Sequence, residues 1–146
     1  MKEQYYTPDI EDIRIGYEME GKIYNEDKWI KIFIDTADWA DQICNMKEDE
    51  HNNDIKIYTL PKDIYRVPYL TKEQIEAEGW KVVGNDNQFN YFTKDKYQLD
   101  FLINGYGGED TVPYTISMGE DLYYPCYNGQ CKDVNTFRWL CKLLKI

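Results

Sequence analysis

The sequence contains no apolar run long enough to span a membrane. Its longest largely apolar stretches, such as residues 30–34, are far shorter than the roughly 18 residues that a membrane helix needs. Residues 1–4 also lack the apolar core of a secretory signal. We therefore expect a cytoplasmic protein that does not bind membranes.

Basic residues are scarce in this chain. Lys and Arg total 17 against 27 Asp and Glu, which gives a formal net charge of −10. Proteins that bind along nucleic acid neutralise its phosphates with a basic stripe, and the sequence has no such stripe. We therefore expect no direct binding to nucleic acid. The acidity instead favours encounter with a partner protein whose surface is basic.

Residues suited to catalysis or metal binding are also few. His51 is the only histidine, and it lies among the acidic residues 48–50 and 54 in a predicted surface loop. Of the four cysteines, Cys44 and Cys141 fall on the apolar faces of predicted helices, where a free thiol packs as a small hydrophobe. The acidic clusters lack the ligand pattern of an EF-hand loop. We predict no catalytic residue, no metal site and no cofactor.

Hydrophobic and aromatic residues, in contrast, are abundant. Hydrophobic residues make up 42% of the chain and aromatic residues 16%. This apolar surface can offset the entropy of ordering the backbone, so the chain is expected to fold. A length of 146 residues suits one domain with one core. We predict a single domain over residues 1–146, in which residues 1–8 form a flexible or loosely packed segment.

Hydrophobic periodicity predicts the fold class. Alternating apolar and polar residues indicate strands, and apolar residues at helical spacing indicate helices. The predicted fold is α+β, with one mainly antiparallel sheet of about six to eight short strands packed by three helices. The strands include a hairpin of residues 17–23 and 28–34. The three helices are expected at residues 36–46, at residues 71–78 and, as an amphipathic C-terminal helix, at residues 134–144.

The second of these helices has the clearest local signal in the sequence. Thr71 and Gln74 match the capping box, in which each side chain bonds to the backbone N–H of the other residue. Leu70 and Ile75 stand at the positions of a hydrophobic staple, and Gly79 supplies a left-handed stop. These residues predict a helix of about two turns.

The pair of residues that most resembles a chemical motif is Cys126 and Cys131. Residues 122–126 and 130–132 are predicted to pair as a hairpin around an Asn-Gly turn at residues 128–129, the preferred pair for a type I′ turn. This hairpin would place the two thiols opposite each other, close enough for a redox-dependent disulfide. Two packed thiols are nevertheless the favoured interpretation, and a zinc half-site, which lacks further ligands at the usual spacing, is the least favoured.

Tyrosine is the residue type that most favours a binding surface here. The chain has 14 tyrosines, too many for a core of this size. Exposed tyrosines are favoured contact residues, although they also occur on exposed strand faces without a binding role. The predicted residues for binding a partner or ligand are Tyr106, Tyr114, Tyr123, Tyr124, Tyr127, Glu109 and Asp110.

The glycine-rich segment at residues 105–110 resembles a phosphate-binding loop only superficially. It has no P-loop lysine and lacks the dinucleotide spacing of glycines. It is also expected to lead into a strand, whereas a phosphate site needs a helix N-terminus. Its acidic end, Glu109 and Asp110, would repel phosphate. We interpret this segment as a connection between strands.

Three segments carry a family resemblance. They are residues 10–16 (IEDIRIG), residues 67–75 (VPYLTKEQI) followed by Gly79-Trp80, and the closing helix at residues 134–144. In order and spacing the chain resembles short accessory proteins encoded by tailed phages and prophages of gut bacteria. The resemblance implies a phage protein that acts inside the infected cell, either inhibiting a host defence enzyme or sequestering a signalling nucleotide. It carries over no catalytic residue.

These observations favour a non-enzymatic acidic binding protein. The main hypothesis is a phage-encoded antagonist that binds a basic host defence protein through an acidic, tyrosine-rich surface. The alternatives are a protein that sequesters a small signalling nucleotide, and a component of the virion or of its assembly. An enzyme is the least favoured class, because it would need an acid and a base that converge in a cleft. The sequence does not specify an oligomeric state.

Overall fold

The structure is a computed structural model that describes residues 5–22, 27–37, 39, 45–48, 56–61, 64–102 and 115–146. The chain divides into two compact units, an N-terminal unit (Met1–Pro68) and a C-terminal unit (Tyr69–Ile146). Each unit contains its own cluster of buried hydrophobic residues. The assignment of residues 1–146 to a single domain stays a prediction.

The N-terminal unit is built mainly from antiparallel strands. Four of them form one sheet in the order β1-β6-β2-β3, and β4 and β5 form a separate two-stranded sheet. Their bounds are β1 (Tyr5–Tyr6), β2 (Glu18–Lys22), β3 (Trp29–Phe33), β4 (Asn45–Glu48), β5 (Lys56–Thr59) and β6 (Tyr65–Pro68), with a 3-10 turn at Ile10–Asp12. The pairing of β2 with β3 confirms the predicted hairpin.

One face of the four-stranded sheet carries the core of the N-terminal unit. Met19 on β2 and Val67 on β6 are almost fully buried, and Ile32 on β3 packs against this cluster. Successive side chains of a strand point to opposite faces. Glu20 and Arg66, which are cross-strand partners, therefore lie on the other face. The alternation of apolar residues therefore decides which face of the sheet is buried against the core.

Residues 5–8 are part of this packed structure. Strand β1 pairs with β6, and the Thr7 hydroxyl donates a hydrogen bond of 2.9 Å to the carbonyl oxygen of Tyr65. Pro8 is buried. Residues 1–4 lie outside the described residues, and the flexible or loosely packed character predicted for residues 1–8 stays a prediction beside these contacts of residues 5–8. Their pairing partner is distant in the sequence, so no local pattern indicates it.

The C-terminal unit is a five-stranded antiparallel sheet with two helices. The strand order is β11-β10-β9-β8-β7, so each strand pairs with its neighbour along the chain. Neither helix has the length and apolar character needed to cross a membrane, and the same holds for the other described residues. The elements are α1 (Lys72–Ala77), β7 (Lys81–Asn85), β8 (Phe89–Lys94), β9 (Tyr97–Leu102), β10 (Thr115–Gly119), β11 (Tyr127–Gln130) and α2 (Val134–Leu144).

Helix α1 begins at the predicted capping box. The Gln74 backbone N–H donates to Thr71 Oγ1 at 3.2 Å, and the Thr71 N–H donates to Gln74 Oε1 at 3.0 Å. Leu70 and Ile75, the predicted staple, are both buried in the core of the unit. Gly79 follows with φ of +93°, a left-handed conformation that glycine adopts without strain. This local prediction is confirmed.

Helix α2 covers one face of the five-stranded sheet. Asp133 is its N-cap, and its carboxylate accepts a bond of 2.9 Å from the Thr136 N–H. The buried side of the helix confirms its predicted amphipathic character. The core that it completes consists mainly of Trp80, Phe92, Leu99, Phe101, Ile116, Met118, Phe137 and Leu140.

The structure confirms the α+β class but corrects the predicted arrangement. The prediction of one sheet is wrong, because the described strands form a four-stranded, a five-stranded and a two-stranded sheet. Alternation identifies strands but does not say which strands pair. Two α-helices lie wholly within the described residues, where three were predicted. Residues 38 and 40–44 of the helix predicted at residues 36–46 lie outside the described residues. Asn45 and Met46, the end of the predicted helix at residues 36–46, belong to β4 and pair with β5.

The predicted hairpin at residues 122–126 and 130–132 is also wrong. The Asn-Gly pair at residues 128–129 lies inside strand β11, where Asn128 pairs with Ser117 and Gly129 with Ile116. The chain reverses earlier, between β10 and β11. An Asn-Gly pair favours a turn only locally, and the ladder with β10 overrides that preference.

Candidate functional site

The connection between β10 and β11 brings two predicted binding residues together. We name residues 119–126 the tyrosine turn. Asp121 organises it, because the Tyr123 backbone N–H donates to Asp121 Oδ1 at 2.9 Å and the Tyr124 N–H donates to the Asp121 carbonyl oxygen at 3.1 Å. Aspartate commonly fixes a turn by accepting bonds from the backbone that follows it. The tyrosine turn therefore has a defined local structure.

The two ends of the tyrosine turn are held close together. The Cys126 backbone N–H donates to the Met118 carbonyl oxygen at 2.9 Å, and the Cys126 thiol donates to the same oxygen at 3.2 Å. Gly119 permits this approach, because a Cβ atom there would lie only 2.9 Å from the Cys126 backbone nitrogen. Any larger residue would push the two strands of backbone apart at the base of the turn.

The tyrosine turn presents two side chains to solvent. Tyr123 is 91% exposed and Tyr124 is 85% exposed. A tyrosine offers a large amphipathic surface and has few rotatable bonds to immobilise when it contacts a partner. Since the backbone beneath both rings is already hydrogen-bonded, little additional ordering is needed on binding. Exposed aromatic side chains on an ordered backbone are suited to contacting a partner.

The tyrosine turn also carries acidic groups. Glu120 and Asp121 are exposed at its start. Lys96, from the turn between β8 and β9, lies 2.5 Å from the Glu120 carboxylate, and both side chains are mostly exposed. The bond and the charge of Glu120 raise the pKa of Lys96. Asp121 has no such cation beside it in the described part of the chain, so it contributes the clearest negative charge.

Tyr127 does not join Tyr123 and Tyr124 at this surface. It packs against the core of the C-terminal unit, and its hydroxyl donates to the Gln130 carbonyl oxygen at 2.6 Å. Burial raises the pKa of that hydroxyl. The other predicted binding residues, Tyr106, Tyr114, Glu109 and Asp110, lie outside the described residues.

The structure does not bring Cys126 and Cys131 together. They flank strand β11, so roughly 15 Å of extended backbone separates them, and a disulfide needs Cα atoms within about 7 Å. Cys126 is exposed, whereas Cys131 is buried, and burial raises the pKa of the Cys131 thiol strongly. Cys141 is a buried free thiol as well, and burial raises its pKa. Two of the three thiols that the structure describes therefore have the character of core residues.

The described side chains offer no metal site. No group of three or more His, Cys, Asp or Glu side chains is placed to hold a metal ion within the ranges that the structure describes. His51 and Cys44 lie outside these ranges.

Sequence reasoning missed an aromatic and charged cluster on the outer face of the N-terminal sheet. The Arg66 guanidinium carbon lies 3.7 Å from the centre of the Tyr5 ring and 4.0 Å from the centre of the Trp29 ring. Arg66 Nε donates to Glu20 Oε2 at 2.6 Å. The residues come from β1, β2, β3 and β6, so only the strand order assembles them. The spacing of Trp29 and Phe33 on one face of β3 was the one signal available.

A second polar cluster lies on the outer face of the C-terminal sheet. The Tyr91 hydroxyl donates to the Asp86 carboxylate, which also accepts bonds from the Gln88 and Phe89 N–H groups at 2.7 and 2.8 Å. These bonds lower the pKa of Asp86, and the bond from the Tyr91 hydroxyl has the largest effect. Burial, and then the charge of Asp86, raise the pKa of Asp100, the cross-strand partner of Tyr91. The Asp86 carboxylate closes the turn between β7 and β8, so we assign this cluster a structural role.

Comparisons with known proteins give no functional assignment. No protein-family model matches the chain, and neither the curated proteins nor the solved structures contain a match.

Proposed function

We propose that this chain is a non-enzymatic binding protein that recognises a protein partner through the tyrosine turn. The observation that carries the proposal is the near-complete exposure of Tyr123 and Tyr124, at 91% and 85%, on a turn that is fixed by its own hydrogen bonds. Exposed aromatic side chains on an ordered backbone are typical of residues that dominate binding energy.

The charge of the chain supports a partner with a basic surface. The formal net charge is −10, and Glu120 and Asp121 place carboxylates beside the two rings. Complementary charge accelerates encounter and disfavours wrong partners, while the buried aromatic contacts supply most of the affinity. A host defence enzyme with a basic nucleic-acid groove is a partner of this kind. Occupying such a groove would make the protein an antagonist of that enzyme.

The test begins with recovery of the partner. The protein is immobilised and exposed to host-cell lysate at low salt, and retained proteins are identified by mass spectrometry. A purified partner is then titrated against the wild type and against the double variant Tyr123→Ala/Tyr124→Ala. We expect the double variant to bind about tenfold to a hundredfold more weakly, because contact tyrosines often contribute more than 1 kcal/mol each.

A control variant removes exposed apolar surface elsewhere on the same unit. Val83 is 61% exposed on β7 and Leu143 is 60% exposed on α2. The double variant Val83→Ala/Leu143→Ala should keep the wild-type affinity. The proposal fails if no partner is retained at low salt, or if the tyrosine double variant binds as tightly as this control.

A further inference from the structure

Strand β3 has one open edge in the described part of the chain. It forms the end of the four-stranded sheet and pairs only with β2. The Ile34 N–H donates to the Tyr17 carbonyl oxygen at 2.9 Å, which continues this pairing one residue beyond β3. Backbone groups of successive residues in a strand point to opposite sides. The N–H and C=O groups of Lys31 and Phe33 therefore point away from β2, and Asp35 follows two residues after Phe33, beyond the end of the strand.

The side chains at the same positions are exposed. Phe33 is 58% exposed, and Lys31 and Asp35 are exposed on either side of it. Neither charge has an ion-pair or hydrogen-bond partner among the described residues. Glu20 is the cross-strand partner of Lys31, but its carboxylate accepts from Arg66 Nε at 2.6 Å. An edge strand with exposed apolar residues is a template for pairing with another strand.

We propose that the open edge of β3 pairs with the same edge of a second copy of this chain, in an antiparallel register centred on Phe33. A two-fold axis through this register places Phe33 against Phe33 of the second copy. Lys31 then lies opposite Asp35 of the second copy, and Asp35 lies opposite its Lys31. The four-stranded sheets of the two copies then join into one continuous sheet across the axis. The proposal does not depend on the tyrosine turn.

Charge complementarity selects this register among the symmetric ones. A register centred on Lys31 would place two like charges directly opposite each other, which is destabilising in a sheet. A register centred on Ile32 would place Lys31 against Phe33 and leave its charge unpaired. Only the register centred on Phe33 opposes each cation with an anion while the aromatic rings meet. Aromatic pairs and opposite charges are favourable cross-strand neighbours.

The same pattern explains why a second copy is a suitable partner. The sequence places a cation two residues before Phe33 and an anion two residues after it, so the edge is complementary to itself when reversed. The net charge of −10 on each copy opposes association at long range. Salt screens that repulsion at distances beyond about 10 Å, so pairing is expected to be observed best at moderate ionic strength.

The experiment uses charge reversal in the full chain. Sedimentation equilibrium at moderate salt measures the dimer dissociation constant of the wild type, of Lys31→Asp and of Asp35→Lys. The dimer dissociation constant of each variant alone should be about tenfold or more higher than that of the wild type, because like charges then face each other at both ends. An equimolar mixture of the two variants should form a heterodimer, since both charge pairs are restored in it.

Two further variants separate edge pairing from misfolding. Phe33→Pro removes an outward N–H that the second copy would bond, so it should abolish the dimer. The variant should still fold, because proline is tolerated on an edge strand where its missing N–H makes no bond to the neighbouring strand. Its circular dichroism should match that of the wild type. The double variant Lys31→Asp/Asp35→Lys should dimerise as the wild type does.

Several results would overturn the proposal. A wild type that sediments as a monomer at all concentrations up to high micromolar would refute it. So would charge-reversed variants that dimerise as tightly as the wild type, or a mixture of the two variants that stays monomeric.

Discussion

Replacing Asp133 with alanine should lower the free energy of unfolding by about 2 kcal/mol. Asp133 is the N-cap of α2 and has no exposed surface. Its carboxylate accepts from the Thr136 N–H at 2.9 Å. Loss of a cap typically costs about 0.5–2 kcal/mol. The upper end applies here because water cannot easily replace the lost acceptor at a buried site, where an unsatisfied donor costs about 1–3 kcal/mol.

The assay is urea unfolding followed by far-UV circular dichroism, with linear extrapolation to water. Asp133→Asn is the matched control, because its amide oxygen can still accept from Thr136. A second comparison is Thr71→Ala, which removes the half-exposed cap of α1, where the bond is 3.2 Å. The expected loss is largest for Asp133→Ala. The reasoning is refuted if Asp133→Asn costs as much as Asp133→Ala, or if Thr71→Ala costs more than either.

Two further predictions concern the C-terminal unit. Gly119→Ala should cost about 1–3 kcal/mol in urea unfolding, since its Cβ would meet the Cys126 backbone; Gly84→Ala, with no neighbour closer than 3.9 Å, should change stability little. Asp100→Asn should raise stability at neutral pH, because the folded-state pKa of Asp100 is raised. That advantage should shrink as the pH falls and vanish below the unfolded pKa of about 3.9, where both side chains are neutral. A pH-independent difference would contradict this cause.

The local predictions succeeded where neighbouring residues determine structure. The capping box at Thr71 and Gln74 and the stop at Gly79 depend on groups within one helical turn. The β2–β3 hairpin depends on an equally short connection. The capping atoms lie within a few residues of each other, and the hairpin strands follow one another along the chain from the Lys22–Trp29 pair outward, so sequence spacing indicates both.

The predicted hairpin that joins Cys126 to Cys131 failed for the opposite reason. The Asn-Gly pair between them has a strong local preference for a turn, yet the backbone bonds of β11 to β10 outweigh it. The separation of the two thiols follows from that pairing. The candidate site also depends on this pairing. The sequence predicted Tyr123 and Tyr124 as binding residues, but the turn that presents them exists only because β10 pairs with β11.

The amino-acid sequence by itself determined the acidity of this protein, its α+β class and the strands and helices whose signals are local. Apolar periodicity and capping residues act over a few positions, so they can be recognised without a partner strand. Tertiary structure alone decided how the described strands divide among three sheets, which tyrosines share a surface and how Arg66 comes to lie between Tyr5 and Trp29. Those features depend on pairing between distant segments, and strand alternation leaves that pairing open.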